Sequence, residues 1–196
     1  MTVYKGANKI DKVDIGSTKI GKIYKGSTLL YDSKIPAGTV IFESATAGTY
    51  TINITKSQNY YIELVGGGGG GQQIVMMSSI ICGGGSGAYV YGTMYLEKGS
   101  YTLNIGNAGT NGNNNVAATK GGDTSFNYQI AGGGSRGSSG AGGTYTTSLT
   151  GVSGNSGGES RNANSVYDNS ATGYGAGGYG YTNRGAVAGY AKIVAA

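Results

Sequence analysis

The stretch Tyr60-Tyr61-Ile62-Glu63-Leu64-Val65-Gly66-Gly67-Gly68-Gly69-Gly70-Gly71 changes character at its midpoint. Its first half alternates with a period of two and is rich in β-branched and aromatic residues, the pattern of a strand with one face buried. Its second half carries no side chain at six successive positions. With no Cβ in the way, such a segment can approach neighbouring backbones closely enough for N–H and C=O groups to pair directly, which satisfies buried polar groups without an apolar core. Glycine loses more conformational freedom on ordering than any other residue, so a segment of this kind needs an anchor.

The anchor lies on both sides of it. Thr39-Val40-Ile41-Phe42-Glu43, Gly48-Thr49-Tyr50-Thr51-Ile52-Asn53-Ile54, Ala88-Tyr89-Val90-Tyr91-Gly92-Thr93-Met94-Tyr95-Leu96 and Ser100-Tyr101-Thr102-Leu103-Asn104-Ile105 repeat the alternation, the last two separated by the turn Glu97-Lys98-Gly99. No segment keeps a 3.6-residue period, so the chain reads as all-β. Glycine then recurs every third residue at Gly106, Gly109 and Gly112, at Gly134, Gly137, Gly140 and Gly143, and at Gly151, Gly154 and Gly157. Three residues per turn is the period of the extended polyproline-II conformation, which makes no hydrogen bonds within itself. Collagen shares the period but needs an unbroken register and abundant proline, and this chain has one Pro. Low-complexity disorder fits residues 173–181 locally, although the Arg-Gly-Gly triplets of RNA-binding tails are absent.

Composition supports a backbone-built half. Gly accounts for 41 of the 196 residues; Leu, Ile, Val and Phe together number 34, of which 25 fall in residues 1–106. Residues 3–32 divide into three ten-residue units, Val3 to Lys12, Val13 to Lys22 and Ile23 to Asp32, each a strand, a Gly-centred turn and a second strand. They read as a small β-meander, too small to stand alone and therefore suited to attachment. Residues 33–38 carry the only Pro and read as a linker, dividing the chain into an attachment module at 1–35 and a second domain at 39–196.

The same counts exclude much chemistry. With no His and a single Cys, Cys82, there is no Ser-His-Asp or Cys-His nucleophile system, no disulfide framework and no Cys/His metal site. Catalytic residues, metal ligands and cofactors are therefore expected to be none, and an enzyme could rest only on scattered carboxylates such as Glu63, Glu97, Asp123 and Asp168. Of the net +5, residues 1–34 supply +4, and the cations are spread along the chain, so no nucleic-acid face is expected. Residues 66–71 lack the following Lys-Ser/Thr of a phosphate loop. The start has no apolar signal region and residues 74–82 are too short to span a membrane, so synthesis in a cytoplasm without a membrane span is expected.

Six motifs occur in one order: Tyr50-Thr51-Ile52, then residues 61–71, Gly83-Gly84-Gly85-Ser86-Gly87-Ala88-Tyr89, residues 101–109, Gly121-Gly122-Asp123-Thr124-Ser125-Phe126 and Gly189-Tyr190-Ala191-Lys192-Ile193. In that order they resemble the glycine-rich domain of bacteriophage tail proteins and tail-fibre tip adhesins, over about residues 39–196. Residues 20–31 are similar to short modules that recur on phage virion proteins. The resemblance implies an all-β fold in which the small N-terminal β-meander is followed by a β-sandwich-like region and a glycine-rich polyglycine-II helix bundle. It also implies a virion location and loops that read a host surface.

The expected function is thus a non-enzymatic virion protein, a tail-fibre tip or tail-associated adhesin. Its expected partners are other virion proteins, through residues 1–35, and a host surface glycan or outer-surface protein, with homo-oligomerisation open. Attachment candidates are Tyr4, Ile15, Tyr24, Leu29, Leu30 and Tyr31. Contact candidates lie in segments without lattice spacing, residues 72–82, 107–120, 144–150 and 159–172. Among them Tyr145 and Tyr167 could stack on sugar faces, and Asn113, Asn114, Asn162 and Asn164 could hydrogen-bond hydroxyls. Residues 72–82 read as a core strand, a subunit interface or an exposed tip, with Cys82 a buried free thiol. Two alternatives stand beside the adhesin: a head fibre or decoration protein that recognises nothing, and, more distantly, an ice-binding sandwich with Thr or Ser rows.

Overall fold

The structure, a computed structural model, describes residues 4–5, 8–9, 14–15, 18–25, 27–32, 34–75, 79–113, 115–137, 143–147, 152–155, 174–178 and 185–196. These residues form strands, turns and extended segments, with no helix among them. At the N-terminus β1 (Tyr4–Lys5) pairs β2 (Asn8–Lys9), β3 (Asp14–Ile15) pairs β4 (Thr18–Lys19), and β5 (Lys22–Lys25) pairs β6 (Thr28–Asp32). Each ten-residue unit therefore contributes one antiparallel strand pair. Among the described residues no ladder joins one hairpin to the next, so three separate hairpins stand where a meander was expected. Arms of two residues in the first two units offer too short an edge for a further strand.

The remaining strands are β7 (Val40–Ser44), β8 (Gly48–Ile54), β9 (Gln58–Val65), β10 (Gln72–Val75), β11 (Ser79–Cys82), β12 (Tyr89–Leu96), β13 (Gly99–Ile105), β14 (Thr124–Phe126), β15 (Gln129–Ala131), β16 (Tyr145–Thr146), β17 (Val152–Asn155) and β18 (Tyr190–Ala195). Two five-stranded antiparallel sheets result, one in the order β17-β12-β9-β18-β7 and the other β16-β15-β14-β13-β8. Period-two burial along β9 and β12 turns Tyr60, Ile62, Leu64, Val90, Met94 and Leu96 inward, where they meet Ile52, Ile54, Leu103, Ile105 and Phe126 of the second sheet in one core. Each fully buried large aliphatic or aromatic side chain contributes roughly 1.5–3 kcal/mol, so this sandwich is the anchor that the glycine segments require.

Tyrosine closes the corners. The hydroxyls of Tyr50, Tyr60 and Tyr101 donate to the carbonyls of Thr46, Lys56 and Glu97, each four residues upstream, fixing the chain as it enters β8, β9 and β13. Ile35 and Gly38, within the stretch read as a linker, are tied to the sandwich. Ile35 packs on the core, its N–H donates to Gln58 Oε1 at 2.7 Å while Gln58 Nε2 donates back to its carbonyl, and Gly38 N–H donates to the Ala195 carbonyl.

Beyond the ends of β9 the six glycines 66–71 run buried through a set of extended segments. Their amides point in turn to three neighbours. Gly66 and Gly69 donate to Ala88 and Gly85, Gly67 and Gly70 to Gly122 and Thr119, and Gly68 to Val187. Their carbonyls accept in the same rhythm, Gly67 and Gly70 from Gly134 and Gly137, Gly68 and Gly71 from Gly109 and Gly112, and Gly69 from Gly178. Six segments thus surround a seventh, and the four that make two bonds step by three residues. At Gly67, Gly68 and Gly70 an added Cβ would stand closer than 3.0 Å to the backbone of Asn107, Ala176 and Thr110, which is why no other residue fits there.

One expectation is corrected. Residues 151–157 were read as a lattice run, but residues 152–155 form the edge strand β17, with Gly154 opposite Val90. A one-in-three glycine leaves strand pairing open where a long edge such as β12 is available. Residues 107–120, a candidate contact segment, also supply lattice acceptors: the carbonyls of Asn107, Thr110 and Thr119 receive Gly122, Thr119 and Gly70 N–H. Backbone carbonyls can accept whatever side chain they carry.

Candidate functional site

Among the described residues two sheet faces look outward, and their chemistries differ. On the first sheet Tyr61, Glu63, Tyr89, Tyr91, Lys192 and Glu43 alternate with the core positions. Tyr89 OH donates to Glu63 Oε1 at 2.6 Å and stacks on Tyr91 with ring centroids 4.9 Å apart. Tyr190 OH donates to Glu43 Oε1 at 2.7 Å, Lys192 Nζ lies 3.2 Å from Glu43 Oε2, and the half-exposed Tyr174 stacks on Tyr190 at 4.3 Å. Burial, then the hydrogen bond to Glu63, pushes the Tyr89 phenol far above its ordinary range; burial and Glu43 do the same to Tyr190. The hydrogen bond from Tyr190, then Lys192, holds the Glu43 carboxyl below its usual value. These carboxylates are thus committed to phenols and an ammonium, which fixes the rings.

The second sheet is uncharged at its centre. Thr49, Thr51 and Asn53 of β8 stand opposite Asn104, Thr102 and Ser100 of β13, all outward. Thr49 Oγ1 donates to Asn104 Oδ1 and Ser100 Oγ to Asn53 Oδ1, both at 2.8 Å. Beside them β14 and β15 are joined by the two-residue turn Asn127-Tyr128, with φ of 44° and 68°. Positive φ at both positions makes this a hairpin turn of the primed kind, which favours Asn first and Gly second. Tyr stands in the second place and is 83% exposed.

The contact candidates are not brought together. Tyr145 lies on the edge strand β16, opposite Ala131 and 42% exposed. Asn113 uses its side-chain oxygen to accept the N–H groups of Asn115 and Val116, both at 3.0 Å, and its carbonyl to accept Gln72 Nε2. Tyr167, Asn114, Asn162 and Asn164 lie outside the described residues, as does Asp168. Of the attachment candidates, Tyr4, Ile15, Leu29, Leu30 and Tyr31 fall on hairpin strands, and Tyr24, on β5, is 53% exposed. Residues 72–82 contribute the hairpin β10–β11, a two-stranded sheet apart from the two large ones, bridged to Gly112 through Gln72; the side chains of residues 74–82, Cys82 among them, are outside the described set. Asp123 is structural. Burial raises its carboxyl, but the Gly133 N–H at 2.8 Å and Lys120 at 3.0 Å outweigh burial and hold it below its usual value. Tyr128 carried a signal that was passed over, the turn pair Asn-Tyr between Phe126 and Gln129.

No described helix is long and apolar enough to cross a membrane. Among the described residues no three His, Cys, Asp or Glu side chains gather as a metal site.

The described residues form an all-β sandwich whose strands continue into segments joined by glycine backbones. The chain belongs to the glycine-rich domain family, which matches residues 44–193. No curated protein matches the chain.

Proposed function

We propose that this is a non-enzymatic phage virion protein, a tail-fibre tip or tail-associated adhesin that binds the host cell surface. In this reading residues 1–35 attach it to other virion proteins and the glycine-rich segments form a polyglycine-II bundle that holds contact surfaces rigidly. The observation that carries the reading is the three-residue rhythm of hydrogen bonds around residues 66–71, with six neighbours reached in turn. It is the pattern expected of threefold extended helices packed side by side. A frame with glycine at its contacts and a sandwich at its root leaves outer faces and loop ends free to vary.

Electron cryomicroscopy of the virion tests this. Density for the chain at a tail-fibre tip, with the N-terminal hairpins toward the particle, is the expected result. Density on the head would make it a head fibre or decoration protein without receptor recognition and would overturn the adhesin reading, as would its absence from the particle.

A further inference from the structure

In a chain with 41 glycines, the one described turn position that asks for glycine and lacks it holds Tyr128. A bulky residue at positive φ is strained, and such strain persists where function requires it. Folding does not explain the ring, since it is 83% exposed. Its setting suggests what it meets. Strand β14 runs beside β13 with Phe126 opposite Leu103 and beside β15 with Phe126 opposite Gln129, so the turn emerges one step further on: Asn127 is level with Thr102 about 5 Å away, and Tyr128, leading into β15, is about 10 Å away by two strand spacings. Thr102 is the middle of the row Ser100, Thr102, Asn104, which faces Asn53, Thr51 and Thr49. Every one of these six carries a hydroxyl or an amide and none is charged, so the rows offer donors and acceptors to a ligand rich in hydroxyls and nothing to neutralise a phosphate or carboxylate.

We propose that Tyr128 and the two rows of β8 and β13 form a binding site for a neutral glycan of two or more units, with the C–H face of one sugar on the Tyr128 ring and the hydroxyls of its neighbour bonded to the rows. The proposal rests on the adhesin reading and names the ligand class and its site, on a sheet face and turn rather than on the loops singled out from sequence. A second copy of the chain is the less suitable occupant, because the rows present polar groups where a stable protein interface has an apolar centre.

The test uses the full chain on an array of neutral and anionic bacterial surface glycans, with Tyr128→Gly and Thr51→Glu as variants. Wild type is expected to bind neutral glycans. Tyr128→Gly is expected to bind about tenfold more weakly, the worth of one good aromatic contact. The same variant is expected to melt about 3 °C higher through relief of the turn; lost binding in a more stable protein separates contact from misfolding. Thr51→Glu, at an exposed position, is expected to bind more weakly without a change in melting. Unchanged binding by Tyr128→Gly, preference for anionic glycans, or a wild-type dimer that Thr51→Glu dissolves would overturn the site. Wild-type protein that adsorbs to bacterial cells but to no neutral glycan would overturn the site and leave the adhesin reading intact; binding to neither would overturn both.

Discussion

Gly68 shows how one residue type bears the architecture. Its N–H reaches Val187, its carbonyl accepts Gly109 N–H, and a Cβ would stand closer than 3.0 Å to the Ala176 carbonyl. That neighbour is backbone and cannot swing aside. Gly68→Ala is therefore expected to cost about 3 kcal/mol, the upper range for overpacking, read as a lower midpoint in chemical denaturation. Gly185 has nothing within 4 Å of where a Cβ would be. Gly185→Ala is expected to leave stability unchanged or raise it by about 0.5 kcal/mol through the unfolded chain. Equal losses at both sites would mean that glycine matters here only as composition.

Among the elements, β18 joins two strands from far earlier in the chain. It lies between β9 and β7 and brings Ile193, fully buried, into the common core. Ile193→Ala is expected to lower the unfolding free energy by about 2–5 kcal/mol. The outer side of the same strand gives a pH dependence. Tyr190 and Tyr89 are raised from their ordinary value of 10.0, so their contribution is complete below pH 10 and is lost as pH climbs toward the folded-state values. Glu43 is lowered from 4.5, so its contribution is present above that pH and is lost as pH falls through the lower folded-state value. Melting temperature is expected to be level through neutrality and to fall at both ends, with Tyr190→Phe flattening each flank. The strands β7, β8, β9, β12 and β13 were legible from period-two alternation to within two residues at each end. β14, β15 and β17 were not, because three or four residues with a single large apolar side chain each carry too little alternation to separate a strand from a loop. β18 was seen as a motif, Gly189 to Ile193, but its place between two strands far earlier in the chain is a tertiary fact that no local pattern contains.

At the scale of the whole molecule, two kinds of cohesion meet at the ends of the strands. The sandwich is held by apolar burial and the glycine segments by backbone pairing, and residues 60–71 pass from one to the other without a break. Glycine at every third position announced the second kind where it coincided with a neighbour's need, at Gly109, Gly112, Gly134 and Gly137, and misled at Gly154, where an available strand edge took the chain. The candidate contact surface was less legible than the fold, since exposure and facing depend on which sheet a residue joins. Thr49, Thr51 and Thr102 look irregular along the sequence and become adjacent rows only when β8 pairs with β13. The central claim, that residues 66–71 are held by hydrogen bonds from all sides, is tested most directly by residue-resolved amide hydrogen exchange. The amides of Gly66, Gly67, Gly68, Gly69 and Gly70 are expected to exchange as slowly as those of Ile62 and Val90 in the sandwich. Exchange at the rate of an unstructured glycine chain, with the sandwich still protected, would contradict it.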